Sequence, residues 1–249
     1  SKGQIITGVF RNWYVIGASL NSTNSQGVKV TLQGRTAVLI ANYTPLLAYA
    51  KLEIQTNYPG SITVSIDGKT YTVSNGQTIT VPAGFVNVTV LTLQANYTGY
   101  ESEGIIQHYS YSSMQYQGKT INTYSALIFV PPSTTQTLNI NYVNDYNYYK
   151  VNIIGYNYVY DGYVLELQIG NNLYQYDNSY WIIGGNYTFA PIGVFNGYTT
   201  YGAVKVVFCY SNGTTDTYKF PNLPSYVIIN QPMTIKVYYN ITMYWQPLR

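Results

Sequence analysis

The sequence predicts an all-β protein, and three observations carry that prediction. β-Branched and aromatic residues alternate with Thr, Ser, Asn and Gln along most of the 249 residues, which is the period of strands with two distinct faces. Turn pairs of the hairpin kind punctuate the alternation at Asp67-Gly68, Asn75-Gly76, Asp161-Gly162 and Asn212-Gly213. The one helical-looking window, TPLLAYAKLE, has Thr44 placed as a cap and Pro45 at a first helical position, but Leu46, Ala48, Ala50, Leu52 and Ile54 alternate, which favours a strand.

The first element is the stretch from Gln4 to Ile16. At strict period two, Ile5, Thr7, Val9, Arg11, Trp13 and Val15 share one face and Ile6, Gly8, Phe10, Asn12, Tyr14 and Ile16 the other. Neither face is made for water, so the segment is expected to become an interior strand. Two readings stay open: it is the first strand of its own domain, or it enters a neighbouring molecule.

The middle stretch SITVSIDGKTYTVSNGQTITVPAGFVNVTV is the clearest run of hairpins. Ile62, Val64 and Ile66 face one way, and Asp67-Gly68 returns the chain through Tyr71 and Val73. A second turn leads to Ile79 and Val81, and Val86, Val88 and Val90 follow. A weak internal repeat suggests a second domain: YQGKTINTY (116–124) matches YSNGTTDTY (210–218), and ALIFVPPSTTQTLNINY (126–142) parallels YVIINQPMTIKVYY (226–239). The expected plan is an N-terminal strand over 1–18, a first domain over 19–143 and a second over 148–249, with 143–149 as a short aromatic linker.

Composition narrows the class. Charged residues make up 8% of the chain where about a quarter is usual, while Tyr alone numbers 31. The surface must therefore be built from amide, hydroxyl and phenol groups. With every carboxylate protonated, twelve Lys and Arg plus one His would cap the charge at +13, so self-repulsion in acid stays modest, as an acidic exterior would require. The lysines are scattered singly, which excludes a nucleic-acid footprint. No apolar run reaches the roughly 18 residues of a membrane span. An exported chain is expected to have had its signal removed.

Catalytic constellations are thin. His108 is the sole histidine, in IIQHYSY, and no nucleophile elbow, glycine-rich phosphate loop or His-x-x-x-His pattern accompanies it. Glu101 with Glu103 and Asp161 with Glu166 are the conceivable acid pairs, but both read better as turn residues. Cys209 alone allows no intrachain disulfide and reads as inert sheet packing. Trp13, Trp181 and Trp245 with the tyrosines could stack on sugars, yet tyrosines spread through almost every strand read as sheet and interface residues. No catalytic site, metal or cofactor is expected.

Seven Asn-x-Ser/Thr sequons stand at Asn21, Asn42, Asn87, Asn96, Asn186, Asn212 and Asn240. The 24 Asn and 43 Ser plus Thr predict about four by chance, so placement carries more weight than number. Asn87 points away from Val86 and Val88, Asn96 and Asn186 follow strand ends, and Asn212 competes with a type I′ turn. Covalent N-glycans are expected on at least three.

Residues 60–92 resemble the PEGA-like β-sandwich modules of surface proteins, whose mark is an IDG turn followed by a T-x-x-VPAG run. With its low charge, its Tyr, Asn and Thr content, its sequons and its N-terminal strand, the whole chain resembles the subunits of extracellular thread filaments of thermoacidophilic archaea. That resemblance implies two Ig-like or PEGA-like sandwiches in tandem and a homopolymer on the cell surface. It implies donor-strand complementation by Ile5, Ile6, Gly8, Val9, Phe10, Trp13, Tyr14, Val15 and Ile16 of one subunit in a groove of the next, serving adhesion or biofilm scaffolding. A carbohydrate-binding or S-layer-associated module, a virion spike and an acid hydrolase are the competing readings.

Overall fold

The computed structural model describes residues 5–195 and 199–244. Its strands run in chain order β1 (Ile6–Ile16), β2 (Ala18–Leu20), β3 (Val30–Leu32), β4 (Val38–Leu47), β5 (Tyr49–Thr56), β6 (Ile62–Ile66), β7 (Lys69–Val73), β8 (Gln77–Pro82) and β9 (Gly84–Val90). After β10 (Gln94–Tyr97) comes a 3-10 turn at Glu101–Glu103, then β11 (Ile105–Tyr116), β12 (Lys119–Ile121), β13 (Ser125–Val130) and the long β14 (Thr135–Tyr156). The rest holds β15 (Val159–Tyr160), β16 (Tyr163–Val164), β17 (Leu167–Ile169), β18 (Asn172–Tyr174), β19 (Asn178–Ile183) and β20 (Gly185–Pro191). It ends with β21 (Val194–Phe195), β22 (Thr199–Tyr210), β23 (Thr215–Lys219), β24 (Tyr226–Ile229) and β25 (Met233–Tyr244).

The protein is all-β, and none of its described helices is long and apolar enough to cross a membrane. Two compact units divide the chain: Ser1–Leu93 with Tyr111–Tyr142, and Gln94–Ser110 with Val143–Arg249. Residues 94–110, expected with the first domain, thus group with the second. The expected linker 143–149 lies inside β14 without a break.

The first unit is a β-sandwich. One sheet is ordered β13-β9-β6-β7; in the other, β5 lies between β8 and β14, with β11 and then β12 beyond β14. Leu52, Ile54, Met114, Leu138 and Ile140 of one sheet, and Ile62, Val64, Val86, Val88 and Val130 of the other, are fully buried. Each such side chain contributes roughly 1.5–3 kcal/mol over its exposed state. Asp67 and Gly68 adopt φ of 49° and 83°, the primed turn that matches strand twist. The Asp67 carboxylate accepts the Asn87 N–H at 2.8 Å, tying that turn to β9. TPLLAYAKLE is extended as expected, but Leu46 belongs to β4 and is exposed, while Ala50, Leu52 and Ile54 on β5 are buried.

In the second unit one sheet carries β19, β14, β25 and β22, with β23 and β21 on β22, and the other is ordered β18-β17-β20-β24. β14 and β25 run parallel, Val151 opposite Met233 through Tyr156 opposite Tyr238. Val151, Ile153, Leu167, Ile169, Val206, Ile229, Ile235 and Val237 form its core. The hydroxyls of Tyr176 and Tyr239 meet at 2.7 Å inside it. The internal repeat has a structural counterpart. β11-β12 and β22-β23 are hairpins, each followed by a strand of the opposite sheet, β13 or β24, and a return to the first sheet in β14 or β25.

Candidate assembly interface

β1 does not lie between the sheets of its own unit. It pairs antiparallel with β4, Ile6 opposite Leu47 through Ile16 opposite Val38, as a separate two-stranded sheet. At the base, the Ile5 N–H donates to the Ala83 carbonyl at 2.9 Å, and the Ile5 carbonyl accepts from Ala48 at 3.1 Å. At the tip, β2 and β3 form a short hairpin, and the loop joining them receives the Trp13 Nε1–H at the Ser25 carbonyl, 3.0 Å away.

The ribbon corrects the strict alternation read from the sequence. Phe10 stands opposite Tyr43 and Asn12 opposite Asn42, so Arg11 is an extra residue at a bulge and the parity changes there. Ile6, Gly8, Phe10, Trp13 and Val15 consequently share one face, where the Phe10 ring lies tilted at 5.6 Å from Trp13 and edge-on at 5.7 Å from Tyr43. Gly8 serves this face: a Cβ there would come within 3.0 Å of the Tyr43 ring. The other face carries Val9, Tyr14, Ile16, Val38, Ile40 and Leu46, each between 41% and 62% exposed. The sequence reading missed β4's part. The signal was present, since VLIANY repeats the two-sided apolar pattern of β1.

All seven sequon asparagines are exposed. Asn87 lies opposite Leu127, Asn186 opposite Ile228 and Asn42 opposite Asn12, which accepts from the Asn42 amide at 3.1 Å. Asn212 forms no type I′ turn, because only Gly213 has positive φ. Its side-chain oxygen accepts instead from the Thr214 N–H at 2.9 Å and the Thr214 hydroxyl at 2.7 Å, an Asx turn.

Among the described residues, the groups around His108 are not arranged as a nucleophile-base-acid series. His108 Nδ1 lies 2.7 Å from the Asn96 side-chain oxygen, Nε2 is 3.9 Å from Asp145, and the Tyr146 ring stacks on the imidazole at 4.5 Å. The Ser110 hydroxyl donates to Asp145 rather than to the imidazole, so the histidine does not bridge nucleophile and acid. Glu101 and Glu103 sit exposed in the 3-10 turn, and Asp161 occupies its Asp-Gly turn with φ of 50°. Cys209 is a half-buried free thiol on β22 opposite Thr234. Among the described residues no three His, Cys, Asp or Glu gather as metal ligands. Trp181 is partly exposed on β19, and Trp245 lies outside the described residues.

No family model matches the chain, and no curated protein does. Among solved structures it is similar to the Bacillus anthracis TIE protein, at 13% identity and a TM-score of 0.26 over 91% of this chain. The chain spans only 41% of that protein's length. It is also similar to the major pilin of Streptococcus pyogenes, at 12% identity and a TM-score of 0.23 over 77% of this chain and 97% of the pilin.

Proposed function

We propose that this chain is a structural, non-enzymatic subunit of an extracellular filament and joins the next copy through its N-terminal ribbon. The observation that carries the reading is the uncovered face of β1 and β4, where Val9, Tyr14, Ile16, Val38, Ile40 and Leu46 stand exposed on a sheet of only two strands. A two-stranded sheet is marginal in water, and exposed apolar side chains clustered on one face, here interrupted by the hydrogen-bonded Asn12–Asn42 pair, mark a contact. Burying these six side chains would contribute on the order of 10 kcal/mol before ordering costs. One edge of β1 is already paired in cis, so the donated element is a ribbon that offers β1's other edge. A contact between a ribbon and a different surface is heterologous and propagates as an open chain of copies.

Sequons away from the ribbon face and from β25, among them Asn87, Asn96 and Asn186, would carry N-glycans that keep a nearly uncharged surface soluble, and adhesion or scaffolding would follow from polymer length. The test is negative-stain microscopy of the full chain beside a Tyr14→Asp, Ile16→Asp double variant. The wild type should form filaments, and the variant should stay monomeric with an unchanged far-ultraviolet β spectrum. A wild type that never polymerises, or a variant that polymerises equally well, defeats the reading.

A further inference from the structure

We infer that the acceptor for the ribbon is an empty strand position in the second unit, beside Tyr239–Tyr244 of β25; this rests on the polymer reading above. β22 pairs along one edge of β25 from Tyr210 opposite Met233 to Thr199 opposite Tyr244, with register shifts between Ala203 and Lys205 and between Thr200 and Tyr201. On the other edge β14 covers only Met233–Tyr238. Among the described residues no strand pairs with the last six on that side. The N–H of Ile241 turns instead to the side-chain oxygen of its neighbour Asn240, at 2.8 Å.

The vacancy has a local cause. Asn157 takes φ of 57°, which ends β14, and the chain departs into the hairpin that turns at Asp161 and Gly162, with φ of 50° and 82°. The core nevertheless continues under the vacant edge. Tyr239 is buried, Ile241 packs against the same cluster, and Tyr201, opposite Ile241, stacks on Tyr160 at 4.1 Å. Just beyond the end of β14, Val159 and Val164 are 56% and 62% exposed. An edge with unpaired backbone groups above a finished core, bordered by exposed apolar side chains, is the surface that strand addition fits.

The occupant is β1 of a second copy. Six residues of vacant edge span about 20 Å. No described strand pairs with β1's outer edge, but the Thr23 carbonyl of the β2–β3 loop accepts the Trp13 N–H at 2.8 Å, so the part offered is Ile6–Asn12, which spans about 23 Å and matches the six vacant positions. Among the other sheet edges, β13, which carries exposed Leu127 and Phe129, is guarded. Pairing with β9 leaves Ser125, Leu127 and Phe129 facing outward, yet the Ser125 carbonyl accepts from the Thr123 hydroxyl at 2.8 Å and the Phe129 carbonyl from Tyr116 at 2.6 Å.

Hydrogen exchange read by mass spectrometry tests this on full-length protein. Assembled wild type is compared with the monomeric Tyr14→Asp, Ile16→Asp variant, and that variant is measured again with a synthetic peptide of residues 4–18. The expected result is at least tenfold slower exchange over Tyr239–Tyr244, both in the polymer and with the peptide. Filaments whose new protection falls elsewhere, for instance on Ser125–Val130, overturn the acceptor assignment and leave the polymer reading intact. Protection of Tyr239–Tyr244 by the peptide without any wild-type filament supports the acceptor and defeats the polymer. No filament and no protection defeats both.

Discussion

Phe10 and Trp13 lie on one face of the N-terminal ribbon with ring centroids 5.6 Å apart, although their positions are three apart, an offset that strict alternation would put on opposite faces. The bulge at Arg11 makes this so, and it concentrates the partly buried aromatics on one side while leaving Val9, Tyr14 and Ile16 bare on the other. Deleting Arg11 removes the extra residue and leaves Phe10 opposite Tyr43 and Trp13 opposite Ala41 on one face of a ladder without a bulge. The tryptophan emission should therefore stay where it is and filament formation should persist, whereas a shift to longer wavelength would show that the register had slipped and carried Trp13 to the bare face. Arg11→Gln, which keeps the extra residue, should retain assembly.

The hydroxyls of Tyr176 and Tyr239 satisfy each other in the core of the second unit. Tyr239→Phe removes one partner and should cost about 1–3 kcal/mol, because the remaining buried hydroxyl loses its shortest bond. The double change to Phe at both positions should cost less than twice that. Chemical denaturation of the three variants measures the coupling.

Much of the first unit was legible because its pattern is local. Ile62, Val64 and Ile66 alternate strictly and end in Asp67-Gly68, whose turn geometry is set by those two residues. What escaped the sequence was set by longer-range pairing. Gln94 to Tyr97 join the second unit by pairing with Gln107 to Ser110, and no composition change announces it. The internal repeat put a domain boundary at VNDYNYY, but the segment contains no Gly or Pro to break the strand, and its backbone continues β14. The ribbon was half legible: its apolar faces demanded company, but alternation alone could name neither β4 nor the bulge.

Burial sets an alkaline limit. It holds the Tyr239 phenol up to about 12, and burial followed by the hydrogen bond to Asp216 does the same for Tyr210. An unfolded tyrosine ionises near pH 10. Both folded values are raised, so the neutral phenols stabilise the fold fully below pH 10, and that contribution is lost as pH rises toward 12. For Tyr239 it amounts to about 2–3 kcal/mol. Denaturation midpoints measured from pH 8 to 12 should fall across this window, and less steeply for Tyr239→Phe.

Every sequon asparagine is exposed, and several lie beside bare apolar residues, as Asn87 does beside Leu127 and Asn186 beside Ile228. Native material should therefore exceed the mass of the bare chain by at least three glycans. Asn87→Gln with Asn186→Gln should bind more of a hydrophobic dye, because glycans no longer shade those faces. An intact native mass equal to the bare polypeptide refutes this.

Tyr116 closes the β13 edge through its hydroxyl on the Phe129 carbonyl. Outward of that edge Leu127 is 66% exposed and Phe129 42%, so an uncapped β13 would present both the backbone groups and the apolar surface that invite pairing. Tyr116→Phe keeps the ring packed in the first unit and should cost only about 1 kcal/mol of stability. Its larger effect should be on association: light scattering should show irregular aggregates even when Tyr14→Asp and Ile16→Asp block the ribbon. If the triple variant stays as monomeric as the double one, the hydroxyl serves packing alone and the edge is guarded by something else.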